Sequence, residues 1–416
     1  MRDILVFIIV FGVIPFALAR PYIGVLLWSW LGYMNPHRLT FGFAYHFDFV
    51  KFAAAATLIG LLFSKEKKTF PFTPLTIIWL LFVIWMCITT IFALNSSDAF
   101  RELERTIKIQ TLMLVTLILL NNKERIIYLV WVIALSIGFF GIKGGIFTIL
   151  TGGNFRVWGP PGSFIFGNNE IALALLIVIP LMRFLQLSYS NKWVKRGLSV
   201  SMLLMLAAAV GSYSRGAFLA GGMMLLFLWL KSRAKLGIMV IIVLTIGISW
   251  YLMPAKWFDR METIETYQSD ESAMGRINAW WFAYNLANER PITGGGFQAF
   301  SPDLFQLYAP NPESVHDAHS IYFEVLAEQG YIGLILFLLM GIMVLSTGRW
   351  IIKNCSGYGE LQWASDLAAM LQVSFVGYAV GGAFLGLAYF DLPYHLMTIM
   401  VATQTIVLKA MSEKKI

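Results

Sequence analysis

The feature that most constrains this chain is a series of long apolar runs joined by polar connections. A transmembrane helix needs about 20 mostly apolar residues, and such runs occur repeatedly. Charged residues make up 13% of the 416 residues, whereas a soluble domain carries about 25%. Both observations exclude a soluble globular protein and predict an all-α, polytopic helix bundle in a membrane. The candidate spans lie near residues 4–19, 21–35, 49–63, 73–94, 103–120, 126–150, 169–187, 197–213, 217–230, 236–253, 320–347, 366–388 and 394–410.

The first two runs allow two topologies. Each run is short, and Arg20 and Pro21 separate them. Proline breaks helical hydrogen bonding. The runs form either two short spans, with the N-terminus outside, or one broken or re-entrant unit. We favour the second alternative, which predicts about 12 transmembrane helices with both termini inside.

Lysine and arginine cluster in every second connection from residue 64 onward. Such clusters mark the cytoplasmic side of membrane proteins, which places the long connection 254–319 outside. We therefore divide the chain into the N-terminal part of the bundle (1–253), a large periplasmic segment (254–319), and C-terminal helices with a cytoplasmic tail (320–416). Because the net charge of +8 resides largely in these clusters, we expect contact with anionic membrane lipid and none with nucleic acid.

The periplasmic segment contains an amphipathic helix, predicted over residues 272–288. Trp280, Trp281 and Tyr284 recur at helical spacing, a pattern suited to the membrane interface. Arg276 lies one turn before Trp280, near the same face. It is either an interfacial charge beside an aromatic belt or a cation that binds an anionic substrate.

Two more arginines lie in outer connections. Arg215 stands between two apolar runs with almost no loop. It either extends to lipid headgroups or clamps a phosphate, a role for which the planar guanidinium is suited; we favour the clamp. Arg156 lies in the loop 151–168. This loop is either a surface turn before a capped helix or a wall of an outer site, with Arg156 as an anion contact.

His316 and His319 lie where the periplasmic segment meets the next apolar run. Their i, i+3 spacing fits a pair of metal ligands, but the segment contains neither a cysteine nor an H-E-x-x-H pattern to complete a site. We therefore predict no metal site. A histidine at a helix start also serves as a general base near neutral pH, and either histidine alone fits a structural role.

This stretch resembles a known family. His319-Ser320, nine further residues, then Gly330 and Gly333 are similar to the H-[NSH]-x9-G-x-x-[GTY] signature of bacterial O-antigen ligases. The run RPITGGGFQAF, at residues 290–300, resembles the glycine-rich stretch that precedes the histidine in ligases and polymerases of this superfamily.

Two further matches lie earlier in the chain. Arg215 with Leu219 resembles the family's R-x3-L element, and the opening with residues 34–38, MNPHR, resembles a subgroup of exosortase-associated O-glycosylation ligases. The order of the motifs and the late outer segment also agree with the family. The resemblance covers residues 150–345 well and the N-terminal third mainly by topology.

The resemblance implies a membrane-embedded, GT-C-like glycosyltransferase. It would move a glycan, with inversion, from undecaprenyl diphosphate to a lipid A–core sugar on the periplasmic face of the bacterial inner membrane. His319 would be the general base, Arg215 and Arg276 would clamp the diphosphate, and Arg156 and His316 would support them. The outer segment contains no D-x-D triplet of metal-dependent glycosyltransferases, so we expect no cofactor.

Other functions use similar features. An O-antigen polymerase and a protein O-oligosaccharyltransferase of the same superfamily need the same donor chemistry, so the donor-site residues do not separate them. A membrane transporter would instead need charged residues inside the spans. Lys51, Lys108 and Lys143 are the candidates for such charges.

Overall fold

The structure is a computed structural model that describes residues 1–231, 247, 254, 255, 257, 258 and 271–414. Within these residues the regular elements are helices, which confirms the all-α fold class. The α-helices are α1 (Arg2–Ala19), α2 (Pro21–Met34), α3 (Phe49–Phe63), α4 (Pro74–Ile91), α5 (Ser96–Leu119), α6 (Lys123–Leu150), α7 (Asn168–Ser188), α8 (Lys192–Val210), α9 (Arg215–Lys231), α10 (Glu271–Glu289), α11 (Pro302–Tyr308), α12 (Ile321–Cys355), α13 (Gln362–Gly382) and α14 (Asp391–Lys414).

Each predicted apolar run coincides with one of these helices, except the run 236–253, which lies outside the described residues. Among the described helices, α1, α4, α6, α7, α8 and α12 are long and apolar enough to cross a membrane, by length and composition. The chain is therefore a helical membrane bundle. The count of about 12 transmembrane helices stays a prediction.

The first two runs form an antiparallel hairpin that turns at Arg20. The Asp3 carboxylate, in the first turn of α1, accepts hydrogen bonds from the backbone N–H groups of Gly42 and Ala44 (3.0 and 3.1 Å), beyond the end of α2. At the other end of α1, the backbone of Ala17 lies against Gly60, near the end of α3. Met1 thus lies at the end of α1 opposite to the end of α3. The expectation that both termini lie inside stays a prediction.

The most buried helices are α7 and the first half of α14, which form the centre of the bundle. α7 packs against α6, α8, α9 and α13, and α14 packs against α5, α6, α12 and α13. Gly382 permits close approach of α13 to α12, because a Cβ there would lie 2.6 Å from Cδ1 of Ile321. This contact holds the first residue of α12, and so the residues just before it, against the core.

Candidate active site

The helix α12 is broken at Gly330, where the backbone has φ 67° and ψ −172°. The break leaves carbonyl groups of the preceding turn without helical partners. The backbone N–H groups of Gly295 and Gly296 donate to the carbonyls of Ala327 and Glu328 at 2.8 and 2.9 Å. A polar backbone group inside a membrane protein needs such a partner. The glycine-rich run 290–300 therefore supplies the donors that make this break tolerable.

At this break, the backbone of the run 290–300 lies directly against the backbone of α12. A Cβ on Gly330 would lie 2.3 Å from the carbonyl oxygen of Ile292, and one on Gly294 would lie 2.5 Å from that of Ala327. Gly294 also has φ 61°. Side chains at either position would push the two segments apart. The glycines that carry the family resemblance thus have a structural role here.

The segment before α12 is held by α10. The Asn278 amide donates to the carbonyls of Asn311 (2.8 Å) and Ser314 (3.0 Å) and accepts from the backbone N–H of Asn311 (2.9 Å). The indole N–H of Trp280 donates to the carbonyl of Ala318 at 2.8 Å. These bonds fix the residues on either side of His316 and lead directly to His319.

The predicted helix at 272–288 is confirmed as α10, and its buried face lies against α11 and α12. Ala279, Phe282 and Leu286 pack with Phe305 of α11 and Ala327 of α12. Trp281 and Tyr284 are 53% and 45% exposed. Trp281 and Tyr284 therefore lie outside the face that packs on α12, and their position at the membrane interface stays a prediction.

His319 is half-buried and has φ 42°, a left-handed conformation that is uncommon for residues other than glycine. Burial lowers the pKa of His319, and the positive charge of Arg276 lowers it further, against an opposing effect of Asp317. The imidazole is therefore neutral at pH 7, the form that accepts a proton. The charge of Arg276 thus acts on His319, and the roles of clamp and base stay predictions.

His316 is exposed, and its ring covers Gly275 of α10. A Cβ on Gly275 would lie 2.8 Å from the imidazole Cε1 atom. The Nδ1 atom is 3.3 Å from the Ser314 hydroxyl. His316 thus contacts the helix that carries Arg276, at the position next to that arginine.

Arg276 also lies near the start of α7. Its charge acts on Glu170, in the first turn of that helix. Asn168, the first residue of α7, donates its amide to the carbonyl of Ser212 at 2.8 Å, and Arg215 begins α9 three residues later. The two arginines therefore lie at the same end of the bundle, around the start of α7. Their convergence on one ligand stays a prediction.

The loop 151–168 packs on the turn that precedes Arg215. The Tyr213 hydroxyl donates to the carbonyl of Gly153 at 2.6 Å, and the backbone N–H of Val157 donates to the carbonyl of Gly211 at 3.1 Å. The exposed Arg156 guanidinium lies over the Tyr213 ring, 5.8 Å from its centroid. The loop thus packs beside the turn that leads to Arg215, and its role as a wall of an outer site stays a prediction.

The sequence analysis missed two carboxylates at the start of α12. Glu324 accepts from the backbone N–H of Ala388 at 3.1 Å, and the buried Glu328 accepts from that of Gln298 at 2.8 Å. Acidic residues inside a candidate span are costly and mark a functional or structural constraint. Their i, i+4 spacing in an apolar run was the available signal.

An apolar cavity of ≈ 500 Å³ lies between α9, α12, α13 and α14. Met223 and Phe227 line it from the helix that Arg215 begins, and Tyr322 lines it from the helix that follows His319. This apolar cavity thus joins the two helices that carry the candidate residues. It offers a dry surface next to a polar site.

The three lysines considered for transport lie on the outside of the bundle. Lys51 and Lys143 are exposed, and so is Lys108. Lys51 forms an ion pair with Asp48, and Lys108 forms one with Glu104. None of these three side chains is buried in the interior of the bundle, where a transport pathway would need a charge.

Comparison with known proteins agrees with the motifs. Residues 200–338 match the family described as O-antigen ligase, and residues 1–190 match a family of unknown function. No curated protein matches the chain. The first match indicates a membrane glycosyltransferase of the ligase or polymerase type. The part of the chain that matches the O-antigen ligase family, residues 200–338, contains Arg215, Arg276 and His319.

Proposed function

We propose that this protein transfers a glycan from undecaprenyl diphosphate to a sugar of lipid A–core, on the periplasmic face of the bacterial inner membrane. The observation that carries the proposal is the neutral, half-buried His319 beside Arg276, within a match to the O-antigen ligase family. The periplasmic segment 254–319 would cover the site, between the bundle parts 1–253 and 320–416.

His319 acts as the general base in this proposal. Its imidazole takes the proton of the acceptor hydroxyl while the hydroxyl oxygen forms a bond to the anomeric carbon of the donor glycan. The bond from that carbon to the diphosphate oxygen breaks on the opposite face. The products are the glycosylated acceptor, with inverted configuration, and undecaprenyl diphosphate. The proton stays on His319 until it passes to water.

Arg215 and Arg276 bind the diphosphate. Two guanidinium groups form charge-assisted hydrogen bonds with its oxygens and stabilise the negative charge that develops as it leaves. This electrostatic role is one that a divalent metal fills in other enzymes. We therefore propose a metal-independent reaction, with Arg156 and His316 at the edges of the same site.

The apolar cavity supports a lipid-linked donor over a soluble one. Met223 lies eight residues after Arg215 in α9, which is about 12 Å along a helix at 1.5 Å per residue. A ligand with its diphosphate at Arg215 can therefore place its polyprenyl chain between Met223, Phe227 and Tyr322. A nucleotide sugar has no apolar part to fill this space.

The test is transfer by the purified protein from an undecaprenyl-diphosphate-linked glycan. We expect His319→Ala to abolish transfer while donor binding persists, and the wild-type reaction to continue in EDTA. His316→Ala is the matched control, because it removes an imidazole three residues away and should retain most activity. Full transfer by His319→Ala would refute the base, and a strict metal requirement would refute the metal-independent reaction.

The acceptor is tested separately by deleting the gene and separating the envelope glycans on a gel. Loss of polymer on lipid A–core, with accumulation of lipid-linked polymer, supports the ligase. Products with single repeat units support an O-antigen polymerase instead. Loss of glycan from protein alone supports a protein O-oligosaccharyltransferase.

A further inference from the structure

A second cavity, which we call the rim cavity, has a volume of ≈ 640 Å³ and is lined by none of the candidate residues Arg215, Arg276 and His319. It is formed by α2, α3 and α5, the segment 162–165, and the two residues Phe390 and Asp391. All of its lining residues except Phe390 and Asp391 lie within the match to the family of unknown function. Its chemistry therefore bears on what that N-terminal region does.

Charge and apolar surface are separated along the walls of the rim cavity. On α5, Arg101, Arg105 and Lys108 recur at i, i+4 and i+7 and so share one face, and Leu112 continues that face. From residue 109 to the end of α5 the helix contains no charged residue. The N-terminal part of this wall is thus cationic, and the C-terminal part is apolar.

On the opposite wall, formed by α3, a cation is likewise followed by apolar side chains. Lys51 lies in the first turn of α3, and Ala54 and Leu58 follow it on the same side at i+3 and i+7. The opposite charges of Lys51 and Glu104 act on each other across the cavity. α2 packs against both α3 and α5 and closes the space between them. Both walls therefore present cations at one level and apolar side chains below it.

Each of the four cations forms an ion pair with a nearby carboxylate, and the Arg105 guanidinium also lies 4.0 Å from the centroid of the Phe164 ring. Arg101 pairs with Asp98 at 3.0 Å and Arg105 with Glu102 at 3.6 Å, both at i, i+3. Exposed pairs of this kind contribute little to stability because water and salt screen them. An anionic ligand can displace them at small cost. The lining side chains include four cations, Lys51 and the three on α5, but only two carboxylates, Glu104 and Asp391.

We propose that the rim cavity binds the phosphate-bearing headgroup of a membrane lipid, with the lipid chain along Ala54, Leu58 and Leu112. A free inorganic anion would use the cations but not the apolar lower part. Neither of the proposed diphosphate clamps, Arg215 and Arg276, lines this cavity. The inference does not depend on glycosyl transfer, since binding is measured without turnover.

The test uses the full-length protein in neutral detergent and measures bound lipid by native mass spectrometry. The probes are phosphatidylglycerol, dioleoylglycerol, which has the chains without the phosphate, and inorganic phosphate. We expect the wild-type protein to retain phosphatidylglycerol in preference to both others. The double variant Arg105→Gln/Lys108→Gln should bind it about tenfold more weakly or worse, since each lost contact is a charged hydrogen bond.

Two matched controls make the result specific. Lys409 is a lysine at similar exposure that also pairs with a glutamate four residues away in its helix (Glu413, 3.8 Å), so Lys409→Gln should bind lipid like the wild type. Ala54→Phe fills the apolar part without changing charge and should weaken binding. Ala55→Phe, an exposed neighbour that does not line the rim cavity, should not.

The outcomes decide the proposal directly. Unchanged phosphatidylglycerol binding by the double variant, with a wild-type melting temperature, would overturn it. Equal retention of dioleoylglycerol would show an apolar site only, and equally tight binding of inorganic phosphate would show a free-anion site. Either result also contradicts a lipid headgroup site. If the double variant melts early, Ala54→Phe against Ala55→Phe gives the decision.

Discussion

Gly330→Ala is the sharpest test of the break in α12, because residue 330 has a backbone conformation that only glycine adopts readily. Holding another residue in this region costs about 1–3 kcal/mol. The new methyl group would also lie 2.3 Å from the carbonyl oxygen of Ile292, so the run 290–300 must move away. Each of the two hydrogen bonds from Gly295 and Gly296 that opens costs about 1 kcal/mol. The expected loss is about 3–5 kcal/mol.

The assay is thermal unfolding of the purified protein in detergent, followed by tryptophan fluorescence. Gly341→Ala is the matched control, because Gly341 lies in the same helix and a Cβ there would have nothing within 4 Å. Alanine is favoured over glycine inside a helix by about 1 kcal/mol, so this control should melt at or above the wild-type temperature. Gly330→Ala should melt well below it.

A Gly330→Ala variant that melts with the wild type would refute the structural explanation of this glycine. If such a variant also lost transfer activity, Gly330 would have to act through the substrate. A low melting temperature for Gly341→Ala would show that any methyl group in α12 disturbs packing. The strain at residue 330 would then not be the cause.

The remaining predictions concern the base and the segment that holds it. Because the pKa of His319 is lowered below its ordinary value of 6.5, transfer should rise with pH along an acid limb centred below 6.5 and level off once the imidazole is neutral. Arg276→Gln removes one cause of the lowered pKa of His319, so the acid limb should move to higher pH, while Arg156→Gln should leave the limb in place. An acid limb that keeps its position in both variants would contradict the assignment of His319 as the base. Asn278→Ala deletes three hydrogen bonds to the 311–314 segment. Transfer should therefore fall at least about tenfold with little change in donor binding. Unchanged turnover would show that the position of this segment does not depend on Asn278.

The positions of the helices follow from hydropathy, and the sequence predicts them well. The run 49–63 coincides with α3, and Pro21 and Pro74 each lie at the first residue of a helix, where proline is tolerated. The hairpin of α1 and α2 was not predictable in the same way. Its evidence is the contact of Asp3 with the backbone of Gly42 and Ala44, and no local pattern marks a bond across about 40 residues.

The candidate residues, whose roles stay predictions, came from the sequence, but the break in α12 did not. The spacing from His319 to Gly330 identified the stretch, but an isolated glycine in an apolar run also fits an unbroken helix. Only the docking of the run 290–300 onto α12 shows the break. The rim cavity was missed for a related reason: Lys51 and Lys108 are 57 residues apart, and their common surface exists only once α2 brings α3 and α5 together.

One helix links the two parts of the proposed chemistry. On α10, Arg276 faces His319 and the start of α7, while Asn278 and Trp280 hold the segment that ends at His319. An adjoining face of α10 packs on α12 through Ala279 and its neighbours. A cation for the leaving diphosphate and a base for the acceptor are therefore positioned by the same rigid element. Because catalytic groups act only within a narrow geometry, a shift of α10 would change both steps together, whereas Arg215, at the start of α9, would affect the donor alone.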